Sequence, residues 1–313
     1  MYNVQFPKLG IELAVDRVAF TVFGMDVYWY GVLIALGAML GIAVSFNLAK
    51  RRGIDQDKYI DVLMIGAIGA IVCARAYYVA FAPFKYDSFI DMINIRDGGL
   101  AIYGGVIGAF DSGAIICKLR KVNILNMFDI ASVGFLIGQG IGRWGNFVNQ
   151  EAYGGFTGSN WWGMQSDRTI SEMGEGIVHP CFLYESIWCL AGFFILNHFS
   201  KKRKFSGQIV LMYCAWYGFG RGFIELLRTD SLMIGNIKVS ALLSYLLCIT
   251  AVALLVFLFK RSKETVGEDS YSQVFVEQLE LSEENEEIAA PQDTEEITEN
   301  DTVVLEDDKN ETD

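Results

Sequence analysis

The side chains best suited to chemistry lie close together in residues 142–154, directly after a long apolar run. They comprise one guanidinium, three amides and one carboxylate: Arg143, Asn146, Asn149, Gln150 and Glu151. In a helix, Arg143, Asn146 and Gln150 would share one face. An ionisable group inside a membrane segment is costly and usually marks a functional site. The stretch therefore predicts a site for an anionic group, which Arg143 could bind through two parallel hydrogen bonds. A polar plug that only holds helices together is the alternative interpretation.

A second polar group forms a stripe in the apolar run 207–227. Tyr217, Arg221, Glu225 and Arg228 follow one another at intervals of four, four and three residues, which places them on one helix face. One interpretation is an internal Arg221–Glu225 ion pair that neutralises two buried charges. The other is a carboxylate that holds the Arg221 fork ready for a phosphate. Both interpretations remain open.

Three isolated residues are weaker candidates. Tyr30, which precedes Gly31, is expected to point inward, and Tyr103 could project from a glycine-rich run into a cavity. His179, which precedes Pro180, could carry a proton near neutral pH, although a lone histidine is more often structural.

The elements that must position these residues are membrane helices. Val27–Ala49 and Val239–Phe259 are uncharged and long enough to cross a hydrocarbon core of about 30 Å. Five more apolar runs carry isolated charges: 62–84, 98–117, 128–147, 177–199 and 207–227. The sequence therefore predicts an all-α integral membrane protein with seven transmembrane helices.

The orientation follows from the loops, because alternate ones are basic. These loops are residues 50–58, 118–121, 201–204 and 260–263. By the positive-inside rule they face the cytoplasm, so the N-terminus is outside and the C-terminus is cytoplasmic. In this orientation the polar residues described above lie near the outer face.

The net charge of −12 arises from the end of the chain. Residues 264–313 hold 19 of the 37 acidic residues and a single base, Lys309. We therefore divide the chain into a membrane domain, 1–260, and an acidic, disordered cytoplasmic tail, 261–313. The six cysteines form no Cys-x-x-Cys pair and the chain has two histidines, which argues against a thiol oxidoreductase and a metal centre.

These residues resemble the prolipoprotein diacylglyceryl transferases. Residues 142–154 match every fixed position of that family's signature, Gly-Arg-x-Gly/Ala-Asn-Phe-x-Asn-x-Glu-x-x-Gly. Residues 179–185 resemble its His-Pro-x-x-Leu-Tyr-Glu pattern, and residues 29–31 and 217–230 resemble patterns of its first and penultimate helices. One position departs: many members carry His-Gly-Gly where this chain has Tyr103-Gly104-Gly105, so the catalytic role assigned to that histidine does not carry over.

The resemblance implies a multi-pass transferase of the bacterial cytoplasmic (inner) membrane with its site on the extracytoplasmic side. Its substrates would be phosphatidylglycerol, a membrane lipid, and prolipoprotein signal peptides with a lipobox cysteine. The diacylglyceryl group would move to the cysteine thiol and glycerol phosphate would leave. We expect no cofactor, no metal and no nucleic-acid partner.

The roles that we expect for these residues combine their types and spacing with the family resemblance. The catalytic residues would be Arg143, Arg221, Tyr103, Tyr30 and Glu151. The substrate-binding residues would be Arg143, Asn146, Asn149, Glu225, Tyr217 and His179. Arg143 and Arg221 would stabilise charge on the leaving phosphate, and Glu151 would hold Arg143 or close the loop. A phenol of pKa about 10 suits Tyr103 as a hydrogen-bond donor and not as the base.

Two other classes compete with this interpretation. A transporter of anionic lipid or small anions in the outer leaflet would carry internal repeats and paired broken helices, and the sequence has no such symmetry. A seven-helix receptor or retinal protein is the other alternative. Its retinal version requires a lysine in the last span, and 239–259 has none.

Overall fold

A computed structural model describes residues 2–264, apart from positions 83, 85, 87, 96, 97, 159–161, 232 and 236. The predicted disordered tail lies outside the described residues from position 265 onward.

Helices dominate the part of the chain that the structure describes. In chain order they are α1 (Trp29–Arg51), α2 (Gln56–Ala80), α3 (Phe89–Ile93), α4 (Ile102–Leu119), α5 (Ile124–Asn149), α6 (Asp167–Met173), α7 (Cys181–Ser200), α8 (Gln208–Leu227) and α9 (Val239–Glu264). Six of them are long and apolar enough to cross a membrane: α1, α2, α4, α5, α7 and α9. The predicted span 207–227 corresponds to α8, which has 20 residues but is less apolar because it contains Arg221 and Glu225.

Short strands accompany the helices, and the all-α prediction did not include them. Strand β1 (Tyr2–Phe6) pairs antiparallel with β2 (Ile11–Val15) on one edge and with β5 (Gln165–Ser166) on the other. Two hairpins follow: β3 (Val18–Val22) with β4 (Met25–Tyr28), and β6 (Met233–Ile234) with β7 (Ile237–Lys238). The β1–β5 pairing ties the N-terminal segment to the long loop after α5.

Helices α1 and α5 approach closely because both carry glycines at their contact. A Cβ atom added to Gly41 would lie 2.7 Å from the carbonyl oxygen of Gly134. Small residues at such positions let membrane helices pack backbone to backbone. This packing brings the first turn of α1 next to the last turns of α5.

Helices α7 and α8 are joined by two tryptophans. The rings of Trp188 and Trp216 stack with centroids 4.2 Å apart. Each indole N–H donates to the other residue's backbone carbonyl, at 2.9 and 3.0 Å. Gly192 and Gly220 supply the space, because a Cβ on either would overlap the opposing indole.

The end of α5 remote from Arg143 is held by a buried carboxylate. Asp129 accepts hydrogen bonds from Arg203 at 2.9 Å and from the backbone N–H groups of Gly207 and Val210 at 3.0 and 2.9 Å. Next to it lies the main apolar core, which includes Ile130, Val133, Leu136, Leu196 and Ile209. Asp129 and Arg203 therefore anchor the connection between α7 and α8 far from the candidate site.

Candidate active site

One carboxylate, Glu185, lies between the two arginines that the sequence singles out. Arg143 Nη2 donates to Glu185 Oε1 at 2.6 Å, and Arg221 Nη1 donates to Glu185 Oε2 at 2.8 Å. Tyr217 also donates to Oε1, at 3.1 Å. The Glu185 side chain is 3% exposed, compared with 24% for Arg143 and 17% for Arg221. The structure thus brings three predicted residues together around a fourth that was not predicted.

Three helices meet at this cluster, and each contributes one charged residue from near one of its ends. Arg143 lies late in α5, Glu185 lies early in α7, and Arg221 lies late in α8. Between α5 and α7, Trp144 donates to Ser186 Oγ at 3.1 Å, and that hydroxyl donates to the Gly140 carbonyl at 2.7 Å. These contacts set the spacing across which Arg143 reaches Glu185.

Arg143 is also hydrogen-bonded to the side-chain amide of Asn146, which belongs to the signature stretch 142–154. Its Nη1 donates to Asn146 Oδ1 at 3.2 Å, and Asn146 Nδ2 donates to Glu151 Oε1 at 2.9 Å. Asn149 Nδ2 donates to the same carboxylate oxygen at 3.4 Å. The chain can turn back on itself because Gln150, which follows the last residue of α5, adopts a left-handed conformation. Glu151 therefore contacts Arg143 through Asn146 and not directly.

The ion pair predicted within the α8 stripe is present, and the role of its carboxylate in holding Arg221 for a phosphate stays a prediction. Arg221 forms an ion pair with Glu225 within the helix and a second one with Glu185. Arg228, just past the helix end, donates two hydrogen bonds to Asp230, at 2.9 and 2.6 Å. The hydrogen bond from Arg228 holds the pKa of Asp230 below its usual value. The internal Arg221–Glu225 pair is present, and it leaves Arg221 free to share Glu185 with Arg143.

His179 lies in the loop between α6 and α7 and does not join the arginines in the described part of the chain. Its Nδ1 lies 3.2 Å from the hydroxyl of Tyr184, which accepts from the indole of Trp162 at 2.7 Å. Burial lowers the pKa of His179 below its usual value. The signature's last glycine is required by its surroundings, since a Cβ on Gly154 would lie 2.8 Å from both His179 Cβ and the Leu227 carbonyl. His179 is thus part of the contact that docks the loop on the end of α8.

Tyr30 lies on the other side of the signature stretch. Its ring packs against Gly145, where a Cβ would lie 2.7 Å from the ring. Tyr30, Asn149 and Glu151 line an open cavity of about 630 Å³ together with residues from the N-terminal segment and the loop. Two arginines at this cavity, Arg17 and Arg168, both donate to the carbonyl of Asn149, at 3.0 and 3.4 Å. Sequence reasoning missed this pair, because neither residue lies in a motif or in an apolar run.

Tyr103 lies outside the cluster. Its helix, α4, packs against α2 through Gly104 and Gly108, and Tyr103 itself is 53% exposed. Among the described residues, the Tyr103 hydroxyl makes no hydrogen bond to Arg143, Arg221 or Glu185. In the same part of the chain, no three His, Cys, Asp or Glu side chains are arranged to hold a metal ion.

Glu185 is the main residue that sequence reasoning missed. Two signals pointed to it: an acid inside an apolar run, and its place as the last residue of the His-Pro-x-x-Leu-Tyr-Glu pattern. Neither signal shows which residue would contact it, because Arg143 and Arg221 lie on two other helices.

Comparison with known proteins identifies the family to which the chain belongs. Residues 17–257 match the family model of the prolipoprotein diacylglyceryl transferases. The phosphatidylglycerol–prolipoprotein diacylglyceryl transferase of Clostridioides difficile strain 630 is 42% identical over 256 residues, covering 81% of this chain and 100% of that protein. Proteins of the same name from Finegoldia magna and Bacillus cytotoxicus are 45% and 40% identical, cover 81% and 84% of this chain, and match over 99% and 98% of their own lengths. With its apolar helices and its signature residues in one cluster, the chain belongs to the prolipoprotein diacylglyceryl transferase family and is a multi-pass bacterial membrane transferase.

Proposed function

We propose that this chain transfers the diacylglyceryl group of phosphatidylglycerol to the lipobox cysteine thiol of a prolipoprotein signal peptide and releases glycerol phosphate. The observation that carries this proposal is the pair of guanidiniums, Arg143 and Arg221, held on either side of the Glu185 carboxylate. Two guanidiniums in a largely apolar setting suit a phosphate in a lipid headgroup. The names of the relatives supply the same two substrates.

The reaction requires the thiol sulfur to attack the glycerol carbon that carries the phosphate. The carbon–oxygen bond breaks, and the phosphate leaves with one more negative charge than it had in the lipid. Arg143 and Arg221 stabilise that charge, and a donor placed at such a position contributes about 3–4 kcal/mol. Asn146 orients the headgroup, with Glu151 holding the amide. Alignment of lipid and peptide supplies much of the remaining acceleration.

The transporter alternative finds no support in the comparisons, because the matching family and the relatives are transferases. The two substrates distinguish the classes experimentally. A transporter would leave the thiol peptide unchanged.

We place the chain in the bacterial cytoplasmic membrane with seven spans, the N-terminus outside and the site facing the extracytoplasmic side. Helix α8 serves as the remaining span because its charges are neutralised inside the protein, Arg221 by Glu185 and Glu225. The alternating basic loops support the orientation. The tail, 261–313, lies beyond the catalytic domain in this arrangement and is dispensable for transfer.

The test is incubation of the purified full-length protein with phosphatidylglycerol and a lipobox peptide, followed by mass spectrometry for the diacylglyceryl thioether. A peptide with serine in place of cysteine, and vesicles of phosphatidylcholine alone, are the substrate controls. Arg143→Ala should lose the product, whereas Arg120→Ala, at an exposed ion pair with Asp61, should keep it. A folded wild-type protein that yields no thioether would refute the proposal.

A further inference from the structure

We propose that Glu185 accepts the proton of the attacking thiol, and that this protonation releases Arg143 and Arg221 to the phosphate as the phosphate gains its charge. This inference rests on the proposed function and adds the identity of the proton acceptor.

The geometry of the carboxylate carries the first step. Both oxygens of Glu185 are occupied, Oε1 by Arg143 and Tyr217 and Oε2 by Arg221. Arg143 has no second carboxylate among the described residues, since its other partner is the amide of Asn146. When Glu185 takes up a proton, Arg143 loses its carboxylate partner. Arg221 loses one of its two carboxylate partners and keeps Glu225. Both guanidiniums then become available to a new anion.

The charges of the cluster carry the second step. Arg143 and Arg221 balance Glu185 and Glu225, so the resting cluster is neutral. The phosphodiester of the lipid brings one negative charge, and the phosphomonoester that leaves carries up to two. If the thiol proton moves to Glu185, the cluster gains one positive charge as the phosphate gains one negative charge. The net charge in the buried site stays constant, which avoids the cost of creating an uncompensated charge there.

The atoms balance in this scheme. The S–H proton moves to a Glu185 oxygen, and the sulfur electron pair forms the new bond to carbon. The carbon–oxygen bond breaks, and its electron pair leaves on the phosphate oxygen. Glu185 then returns its proton to water or to the departing glycerol phosphate.

The other residues that could accept the thiol proton lie in positions that link them to fewer of the two arginines. Tyr103 is half exposed on α4, and His179 is hydrogen-bonded to Tyr184 in the outer loop. Glu151 is held by the amides of Asn146 and Asn149, and among the described residues it forms no ion pair with Arg143 or Arg221. Glu225 balances Arg221 but does not contact Arg143 in the described part of the chain. Glu185 alone of these residues joins both guanidiniums.

The groups that face Glu185 come from three helices. Helix α5 contributes Arg143, and α8 contributes Tyr217 and Arg221, with Arg228 directly after it. The helix of Glu185 itself contributes Cys181 and Cys189. Apart from the arginines these neighbours are thiols and a phenol, whose ordinary pKa values are about 8.5 and 10. Among the groups named here, Glu185 is the carboxylate, and it accepts hydrogen bonds from both Arg143 and Arg221.

The test is the pH dependence of kcat/KM for Glu185→Gln, measured with phosphatidylglycerol and a lipobox peptide between about pH 6.5 and 8.5. The variant keeps the side-chain size but cannot accept the proton, so it must use thiolate already present. Its kcat/KM should rise about tenfold per pH unit towards the thiol pKa, while the wild-type value stays nearly flat. The KM for phosphatidylglycerol should not increase.

Chemical rescue provides the second measurement. A selenol ionises at much lower pH than a thiol, so a selenocysteine peptide should restore Glu185→Gln at neutral pH. Arg120→Ala, at an exposed ion pair with Asp61, should match the wild type in every assay. Glu185→Asp keeps a carboxylate and should retain a flat profile at reduced rate.

Each outcome decides the matter. A Glu185→Gln defect of equal size at every pH, or one that the selenocysteine peptide does not relieve, would assign Glu185 a structural role only. If the Gln variant does not fold, the wild-type profile still decides, because a tenfold rise per pH unit would mean that the enzyme uses pre-formed thiolate. Absence of product from the wild type at every pH would instead refute the proposed function.

Discussion

Asn146 Nδ2 donates to Glu151 Oε1 at 2.9 Å, and this hydrogen bond fixes the direction in which the Asn146 amide faces. The amide oxygen is thereby turned towards Arg143, from which it accepts at 3.2 Å. The signature therefore acts as a relay in which Glu151 orients Asn146 and Asn146 orients Arg143. The relay explains why an amide, which both donates and accepts, occupies the middle position.

Asn146→Asp should break this relay with almost no change in shape. An aspartate would place a carboxylate oxygen against Glu151 where the amide now donates. We expect kcat/KM in the thioether assay to fall roughly ten- to a hundredfold, the cost of a lost hydrogen bond and a like-charge contact. Asn123→Asp, at the other end of α5, is the matched control, because aspartate also caps a helix. Full activity of Asn146→Asp would show that amide orientation is unimportant.

Arg143→Lys and Arg221→Lys should both be poor enzymes. Each arginine contacts two different partners with two nitrogens, and a lysine ammonium cannot reproduce that planar fork. We expect losses of about a hundred- to a thousandfold in kcat, measured with saturating lipid and peptide. Arg120→Lys, with an exposed ion pair, controls for expression and insertion. If Arg143→Lys kept most of its activity, recognition by fork geometry would be untenable.

Tyr103→Phe should lower the rate without changing the pH profile. The hydroxyl does not contact the arginine cluster in the described part of the chain, and Tyr103 is 53% exposed. We therefore expect the hydroxyl to donate a hydrogen bond to a bound substrate and not to act on the arginines. A loss of roughly tenfold or more in kcat/KM would fit such a donor. Loss of a basic limb from the pH–rate curve would instead identify the phenol as the base. Arg120→Lys, at an exposed ion pair with Asp61, is the control.

The sequence predicted the membrane helices and the local part of the site. Hydropathy located the helices because a span must be apolar over its whole length. Arg143 contacts Asn146, and Asn146 contacts Glu151. Contacts of this kind can be inferred from sequence because they join residues only three and five positions apart. The Arg221–Glu225 pair follows from helical spacing in the same way.

The rest depends on tertiary packing. Glu185 reaches Arg143 and Arg221 only because α5, α7 and α8 meet, and no local spacing encodes that meeting. The strands of the N-terminal segment were missed because they are short and most of their side chains are exposed, which leaves a weak alternating pattern. Tyr103 lies on α4, which packs against α2, and it does not contact the arginine cluster in the described part of the chain, so its expected role in the site stays a prediction.

The loop between α5 and α6 should contain a tyrosine with a raised pKa. Tyr153 donates a hydrogen bond to Glu172, and burial together with this bond raises the pKa of Tyr153 to about 12. The folded state therefore favours the neutral phenol. Its contribution to stability is complete below about pH 10, the usual pKa of tyrosine, and is lost as the pH rises through about 12.

The measurement is the tyrosinate absorbance of the wild type minus that of Tyr153→Phe. The difference should show one phenol that titrates near pH 12. A difference curve centred near pH 10 would show that Tyr153 is solvated and makes no bond to Glu172.

Substituted cysteines can test the orientation in the membrane. In intact cells an impermeant maleimide should label Lys8→Cys and Glu175→Cys, which are exposed and lie on the proposed outer side. Lys118→Cys and Lys202→Cys, equally exposed, should react only after the membrane is opened. The native cysteines provide the background, because each is buried or partly buried. Labelling of Lys118→Cys in intact cells would overturn the placement of the site on the outer side.

The paired indoles of Trp188 and Trp216 also limit how the enzyme can open. A slide of α7 along α8 by one residue, about 1.5 Å, would break both hydrogen bonds and press the rings into Gly192 and Gly220. The register between α7 and α8 is therefore fixed by this contact. We expect any widening of the site to separate α5, which carries Arg143, from the α7–α8 pair, which carries Arg221.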